Sequence, residues 1–357
     1  MKIIKRTLLA LLILIVGAWL VALLKLNFIA DKHTPVSEAM LIEAKEYLGD
    51  QITPAPANFQ WSMFKTEAGV SLRTGLLEHE NAKATVVVVP GFTGTIEMIM
   101  REITMIHAAG YRVATVEYRG QGLSYRPLPD HPERGYVESY QVLGSEVGQY
   151  ASSIELANKP LFFFSISKGA HITMRMAAEQ GLDVAAYALI VPMIQINSGE
   201  VPYETLRSVA KWATKLGLGT AYSPGAGVWP VDDFKFGAPD LCNSNPKTAQ
   251  AQSGLFASNE KLRTRGVTYK WLYETTKSTD KLFSSDFIAP ITAPVKIYTA
   301  GIDTIVRTEA AERFCNSLAD CETQNYPQAR HCITREDYSL YDGIVADAIE
   351  HFDTHLN

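Results

Sequence analysis

Three hydrophobic patterns follow one another along this 357-residue chain. The first is unbroken. Lys2, Lys5 and Arg6 precede Thr7 to Leu24, eighteen residues without a charge, and Lys25 closes the run. No polar face interrupts it, so it predicts a lone apolar helix rather than one side of a core. At the rise of an α-helix it reaches about 27 Å, close to the hydrocarbon thickness of a bilayer. Residues 1–25 therefore read as a membrane anchor whose cationic flank stays cytoplasmic, which places the rest of the chain on the far side, the periplasm if the source is bacterial. Cleavage after Val16-Gly17-Ala18 is the alternative and would release a secreted protein, but it leaves WLVALLKLNF on the mature chain.

The second pattern begins after residues 26–57, which read as a linker with one short helix and end in Pro54 and Pro56. FQWSMFKT and VSLRTGLLEHE predict two antiparallel strands turning near Gly69. ATVVVVP is a continuous β-branched run, the mark of a strand buried on both faces. A helix over about 96–109, the strand YRVATVEY, a helix over about 137–157 and the strand PLFFFSI follow. A helix to about Gln180 and the strand AAYALIVP complete the series. Strand and helix in alternation with short connections predict a mostly parallel sheet covered on both faces.

Near Pro192 the rhythm breaks. Residues 196–284 hold helical stretches such as ETLRSVAKWATKLG and Gly/Pro-rich loops but no βαβ unit. The strand pattern resumes at APVKIYTAG, then come a helix over about 306–318, the strand ETQNYP and a last helix over about 342–355. One α/β domain built from residues 58–195 and 285–357, with a helical insertion at 196–284, is the simplest organisation.

Composition changes this picture little. A formal net charge of −5 offers no electrostatic footprint for nucleic acid. No Cys/His spacing suggests a metal, and no cofactor is implied. Four cysteines, Cys242, Cys315, Cys321 and Cys332, suit an oxidising compartment. Cys315 and Cys321 are near enough to close a small loop, which leaves Cys242 and Cys332 to join distant segments; four free buried thiols remain the other reading.

The chemistry gathers at LFFFSISKGAH, residues 161–171, where an apolar strand ends in Ser-Ile-Ser-Lys-Gly and turns helical. A sharp strand-to-helix turn lifts a serine hydroxyl clear of a sheet, and small neighbours are needed because backbones come close there. Ser167 is the candidate nucleophile, Gly169 meets the requirement on the helix side, and Ser165 stands where a glycine is usual. A serine needs a base, and such a fold supplies an acid after a late strand and a histidine after the last one. VKIYTAGIDTIV places Asp303 just past a strand, and ETQNYPQARHC places His331 past the last strand. The other seven histidines fall in the linker, loops or helices. A developing oxyanion needs backbone donors. The N–H of Phe92, in VVVVPGFTG, and that of Lys168 are the candidates.

These stretches, with RGQGLS (Arg119 to Ser124), give residues 60–357 a resemblance to the α/β-hydrolase superfamily. Within it the chain is most similar to the bacterial lysophospholipase and monoacylglycerol lipase group. The resemblance implies the α/β-hydrolase fold with residues 196–284 as a lid. It also implies ester hydrolysis of a lipid-like monoacyl substrate through an acyl-enzyme on Ser167, with His331 as base and then acid and Asp303 orienting it. RGQGLS would shape a turn beside the site. Two departures bear on substrate and rate: Pro90-Gly91 replaces the usual His-Gly, and Ser165 replaces a glycine. Trp212, Trp229, Phe234, Phe236, Leu255 and Phe256 are expected to line an acyl tunnel or pack the lid. Two other functions are to be weighed. A serine aminopeptidase would hold a substrate amine with acids such as Glu200, Glu204, Asp232 and Asp233. A hydrolase that has lost its chemistry would serve as a binding protein.

Overall fold

The computed structural model describes residues 2–356 except Asp50, 232–234, 237 and 239–241. The N-terminal run forms α1 (Lys2–Phe28), and α2 (Glu38–Leu48) follows, capped by Ser37 Oγ, which accepts from the Met40 N–H. Then come β1 (Gln60–Lys65), β2 (Ser71–Leu77), β3 (Thr85–Val89), α3 (Met100–Ala108) and β4 (Arg112–Val116). After these lie α4 (Tyr140–Ser153), β5 (Leu161–Ile166), α5 (Lys168–Gln180) and β6 (Ala186–Ile190). The stretch up to the next strand carries α6 (Tyr203–Ala213), a π-helical turn (Thr214–Leu218), α7 (Ala251–Ser258), α8 (Tyr269–Leu282) and the short α9 (Ser285–Ile288). The chain ends with β7 (Val295–Ala300), α10 (Thr308–Cys315), β8 (Cys321–Tyr326) and α11 (Tyr338–Asp353).

The eight strands form one sheet in the order β1-β2-β4-β3-β5-β6-β7-β8. β1 and β2 run antiparallel, β2 meets β4 antiparallel, and every pairing from β4 onward is parallel. β3 to β6 are buried along their whole length. Their alternate residues feed two cores: Val87, Val89 and Phe163 point to the side of α4 and α5, and Val86, Val88, Phe162 and Phe164 to the side of α3 and α11. This is why those strands read as continuous apolar runs rather than alternating ones. The register pairs Val89 with Ser165 and Ile166 with Ile190, so the carboxyl ends of β3, β5 and β6 finish side by side.

The residues between α1 and β1 do not behave as a free linker. Arg134 donates to both oxygens of Asp31 at 2.7 and 3.0 Å, and Arg263 donates to the Thr34 carbonyl at 2.8 Å. Ala44 of α2 is fully buried in a small core with Trp229, Phe256 and Leu262. The alternation of α2 was too weak to reveal this: only Ala44 of its eleven residues is buried. Both cysteine pairs are joined, Cys315 to Cys321 and Cys242 to Cys332. The first ties the end of α10 to the start of β8, and the second ties the insertion to the residue after His331.

Candidate active site

The site assembles where β3, β5 and β6 end. Ser167, between β5 and α5, has φ +49° and ψ −113°, a backbone conformation that costs a non-glycine residue of order 1–3 kcal/mol and persists only when its surroundings impose it. They do so through three hydrogen bonds. The Ser167 N–H donates to Ile190 at 2.8 Å, and the Ser167 carbonyl accepts from Met193 at 3.1 Å and His171 at 3.2 Å. Gly169 is obligatory here, since a Cβ would lie 2.5 Å from the carbonyl oxygens of both Val89 and Pro90. Ser165, by contrast, is accommodated. It is fully buried and its hydroxyl pairs with Thr173 Oγ1 at 2.8 Å, so the extra oxygen is satisfied within the adjoining helix.

Ser167 Oγ lies 2.9 Å from His331 Nε2, and His331 Nδ1 lies 2.7 Å from Asp303 Oδ2. The second oxygen of Asp303 accepts the N–H groups of Ile305 (2.8 Å) and Val306 (2.9 Å), which fixes the carboxylate plane. The Asp303 side chain is only 1% exposed. The three residues chosen from sequence are therefore brought together in one hydrogen-bonded chain. An imidazole that donates from Nδ1 to the carboxylate has Nε2 free to accept from the hydroxyl.

Gly91 and Phe92 pass over Ser167: a Cβ on Gly91 would sit 3.2 Å from Ser167 Cβ. Two side chains that sequence reasoning missed hold this loop. Gln121 Nε2 donates to the carbonyls of Gly91 and Gly94, both at 2.9 Å, and Gln252 Nε2 donates to the Thr93 carbonyl (2.8 Å) and hydroxyl (2.7 Å). The positive φ of Thr93, +65°, is fixed between them. RGQGLS is thus more than a turn. Its Gly120 and Gly122 take φ +88° and +54°. Glu117, just before it, accepts the Ile96 and Leu123 N–H groups at 3.0 and 2.8 Å. Burial pushes that carboxyl up to about 7 even with Arg73 at 3.2 Å.

Lys168, whose N–H is the other candidate donor, begins α5, so that N–H has no acceptor within the helix. Its ammonium group faces the rings of Tyr118 (4.8 Å), Phe92 (5.3 Å), Tyr140 and Trp271 (both 5.9 Å). Burial lowers its pKa to about 7. His171, one turn on, is buried between the Met193 carbonyl and Ser278 Oγ, both at 2.7 Å, and burial lowers it to about 3. It is a neutral structural residue, as its place in a helix suggested.

Above Ser167 and His331 opens a cavity of about 320 Å³. Phe92, Met98, Ile99, Ile166, Met193, Ile196, Trp271 and Ile305 give it apolar walls, with Gln252, Arg265 and Arg335 at its polar edge. The described aromatic residues singled out in the insertion, expected to line a tunnel or pack the lid, do not line this cavity. Trp212 is exposed on α6, whereas Trp229 and Phe256 are buried against α2 with Phe236 and Leu255 beside them. Phe234 lies outside the described residues. Trp271, which the sequence did not single out, takes that role because α8 turns it inward. Glu200 and Glu204 are exposed and away from the cavity, and Asp232 and Asp233 lie outside the described residues. Among the described residues no group of three or more His, Cys, Asp or Glu is arranged to hold a metal.

Comparison with known proteins gives the family and the fold. The family described as serine aminopeptidase, S33, matches residues 80–338, most of the chain. The chain belongs to that family. No curated protein matches it in sequence. Among solved structures it resembles a soluble variant of monoglyceride lipase from Saccharomyces cerevisiae bound to a substrate analogue. The TM-score is 0.65 and the identity 18%, over 85% of this chain and 96% of that one. A thermostable carboxyl esterase from Bacillus coagulans in complex with glycerol gives TM-score 0.62 and 18% identity, over 85% and 99%. The monoacylglycerol lipase of Paleococcus ferrophilus gives 0.61 and 16%, over 80% and 99%. At such identities the likeness establishes the α/β-hydrolase fold of the family member described here.

Proposed function

We propose that this α/β-hydrolase is a serine ester hydrolase acting on a monoacyl lipid ester of the lysophospholipid or monoacylglycerol type. The observation that carries the reading is the unbroken chain Ser167–His331–Asp303 at the floor of an apolar cavity. His331 Nε2 takes the Ser167 proton as Oγ attacks the ester carbonyl. Asp303 holds the resulting imidazolium, and the oxyanion turns to the N–H groups of Phe92 and Lys168. His331 then returns the proton to the departing alcohol, and water repeats the sequence to free the acid. No cofactor enters these steps. The apolar walls suit an acyl chain, and the alcohol end would meet Arg265. The solved structures most like this chain carry lipase and esterase names, which supports the reading.

α1 supplies the one helix among the described residues long and apolar enough to cross a membrane, Arg6–Leu26. In this reading it anchors the enzyme with the catalytic domain on the non-cytoplasmic side, and residues 196–284 act as the lid. The family's description favours a second reading, a peptidase of the serine aminopeptidase type. The absence of carboxylates from the described cavity wall weighs against it, because a substrate ammonium group would be left without a partner. The test treats the full chain in detergent with a fluorophosphonate and follows acyl esters and aminoacyl amides, with Ser167→Ala as control. Labelling and ester turnover that vanish in the variant are expected. Faster amide than ester turnover would support the peptidase, and a folded protein with neither labelling nor turnover would overturn both in favour of a binding protein.

A further inference from the structure

α6 has an unusual face. Of its residues only Ala210 is buried, while Val209 (50% exposed), Trp212 (59%) and, in the following turn, Leu216 (53%) stand out at helical spacing. Lys211 and Lys215 are exposed beside them, and Lys215 Nζ lies 5.2 Å from the Trp212 ring. Apolar residues flanked by cations on one helix suit the boundary between acyl chains and anionic headgroups.

The contact with α1 says what covers this face. Trp19 Nε1 donates to the Leu216 carbonyl at 2.9 Å. At Gly217, whose φ of +84° breaks the helix, a Cβ would lie 3.1 Å from Leu23. Trp19 sits five residues before Leu24, the last of the uncharged run. Along a helix that is about 7–8 Å inside the apolar end. Interfacial helices bury their apolar faces to a similar depth, about 5–10 Å. The anchor thus sets the height of the turn that carries Leu216.

We propose that α6 and the turn after it lie in the outer part of the bilayer leaflet that holds the C-terminal end of α1. Val209, Trp212 and Leu216 enter the acyl region, and Lys211 and Lys215 meet anionic headgroups. This rests on the anchor reading of α1 and extends it: the insertion over the cavity is itself a membrane-bound element, so substrate is taken from the leaflet rather than from solution.

The test reconstitutes the full chain in phosphatidylcholine/phosphatidylglycerol vesicles whose acyl chains carry bromine. The emission of Trp212 is obtained as the difference between the wild type and Trp212→Phe. An alkaline wash reports separately whether α1 holds the protein in the membrane, and short-chain ester turnover reports whether the chemistry is intact. Retention after the wash, with Trp212 quenched by at least about half, is expected. The variant Val209→Ser/Trp212→Ser/Leu216→Ser should lose about tenfold in turnover of vesicle-embedded monoacyl ester while short-chain turnover holds. A retained protein whose Trp212 is quenched by aqueous iodide and not by bromolipid overturns the proposal. A protein removed by the wash overturns the anchor reading and the proposal together, whatever its esterase activity.

Discussion

Replacing Lys168 with methionine removes a charge that the fold has to bury. The side chain is 2% exposed, its ammonium group faces four aromatic rings, and among the described residues it has no carboxylate partner. Burial lowers its pKa from 10.5 to about 7. Between those values the unfolded chain keeps a proton that the folded chain has released, so the free energy of unfolding rises with pH across the window. Below pH 7 both states are charged and the whole penalty is present; above 10.5 both are neutral and it is gone. A displacement of this size corresponds to ~5 kcal/mol, from which ring contacts of ~0.5–2 kcal/mol each subtract a part. Lys168→Met, which keeps the volume, should therefore stabilise the protein by ~2–4 kcal/mol at pH 6, and the gain should nearly vanish by pH 10. Urea unfolding of the full chain in detergent, followed by tryptophan fluorescence at pH 6, 8 and 10, measures it. A gain equal at pH 6 and pH 10, or a loss at pH 6, would refute the account of a buried unpaired cation. Ester turnover should stay within about threefold, because the proposed oxyanion donor is the N–H and not the ammonium group.

Asp303→Asn keeps the shape but favours the wrong imidazole tautomer, and kcat should fall ~10³–10⁴-fold in a steady-state assay with the protein still folded. Ser165→Ala strips the buried Thr173 hydroxyl of its partner. Thermal melts should show a loss of ~1–2 kcal/mol while kcat/KM is unchanged, since Ser165 does not line the cavity. Joint replacement of Cys242 and Cys332 by serine opens a link across 90 residues beside His331. The unfolding midpoint should drop by the equivalent of ~2–5 kcal/mol, and kcat should suffer more than KM as the histidine loop loosens. Arg265→Gln at the cavity edge should lower kcat/KM for a monoacyl ester with a phosphate headgroup by about tenfold and leave monoacylglycerol nearly unaffected.

The parallel sheet was legible because β3 to β6 are buried on both faces and so carry unbroken apolar runs. Ser167, Asp303 and His331 were legible because each follows a strongly apolar or clearly bounded strand, in the order serine, acid, histidine. The contacts that hold the Gly91–Thr93 loop were legible only in part. RGQGLS pointed to a turn beside the site but not to Gln121 reaching back 27 and 30 residues, and Gln252, which acts across 159, sits in no pattern that a local reading detects. The short helix expected in residues 26–57 is present as α2, but its docking was not legible, because the partners of Ala44 in that small core, Trp229, Phe256 and Leu262, lie some 185–218 residues further along the chain. Of the two roles left open for the insertion's aromatics, Trp229 and Phe256 take the packing one, and the sequence could not decide because periodicity marks which residues are apolar but not which helix face meets the cavity.

The two polar side chains that flank Ser167 near the elbow are each met within a few residues' reach. Ser165 adds an oxygen and Thr173 receives it. Lys168 adds a charge, and the rings of Phe92, Tyr118, Tyr140 and Trp271 surround it. Phe92 belongs to the loop that carries the second proposed oxyanion donor, and Trp271 belongs to the insertion, so the lysine joins the elbow to both. Gln252 of α7 makes a second such connection through Thr93. These two contacts tie the insertion to the Gly91–Thr93 loop independently of how α6 is seated. Loosening Gln252 by Gln252→Ala should then lower turnover of vesicle-embedded ester and of short-chain ester alike. The α6 variant, by contrast, should affect only the former, and a Gln252→Ala protein unchanged toward short-chain ester would refute a role for this contact in holding the loop.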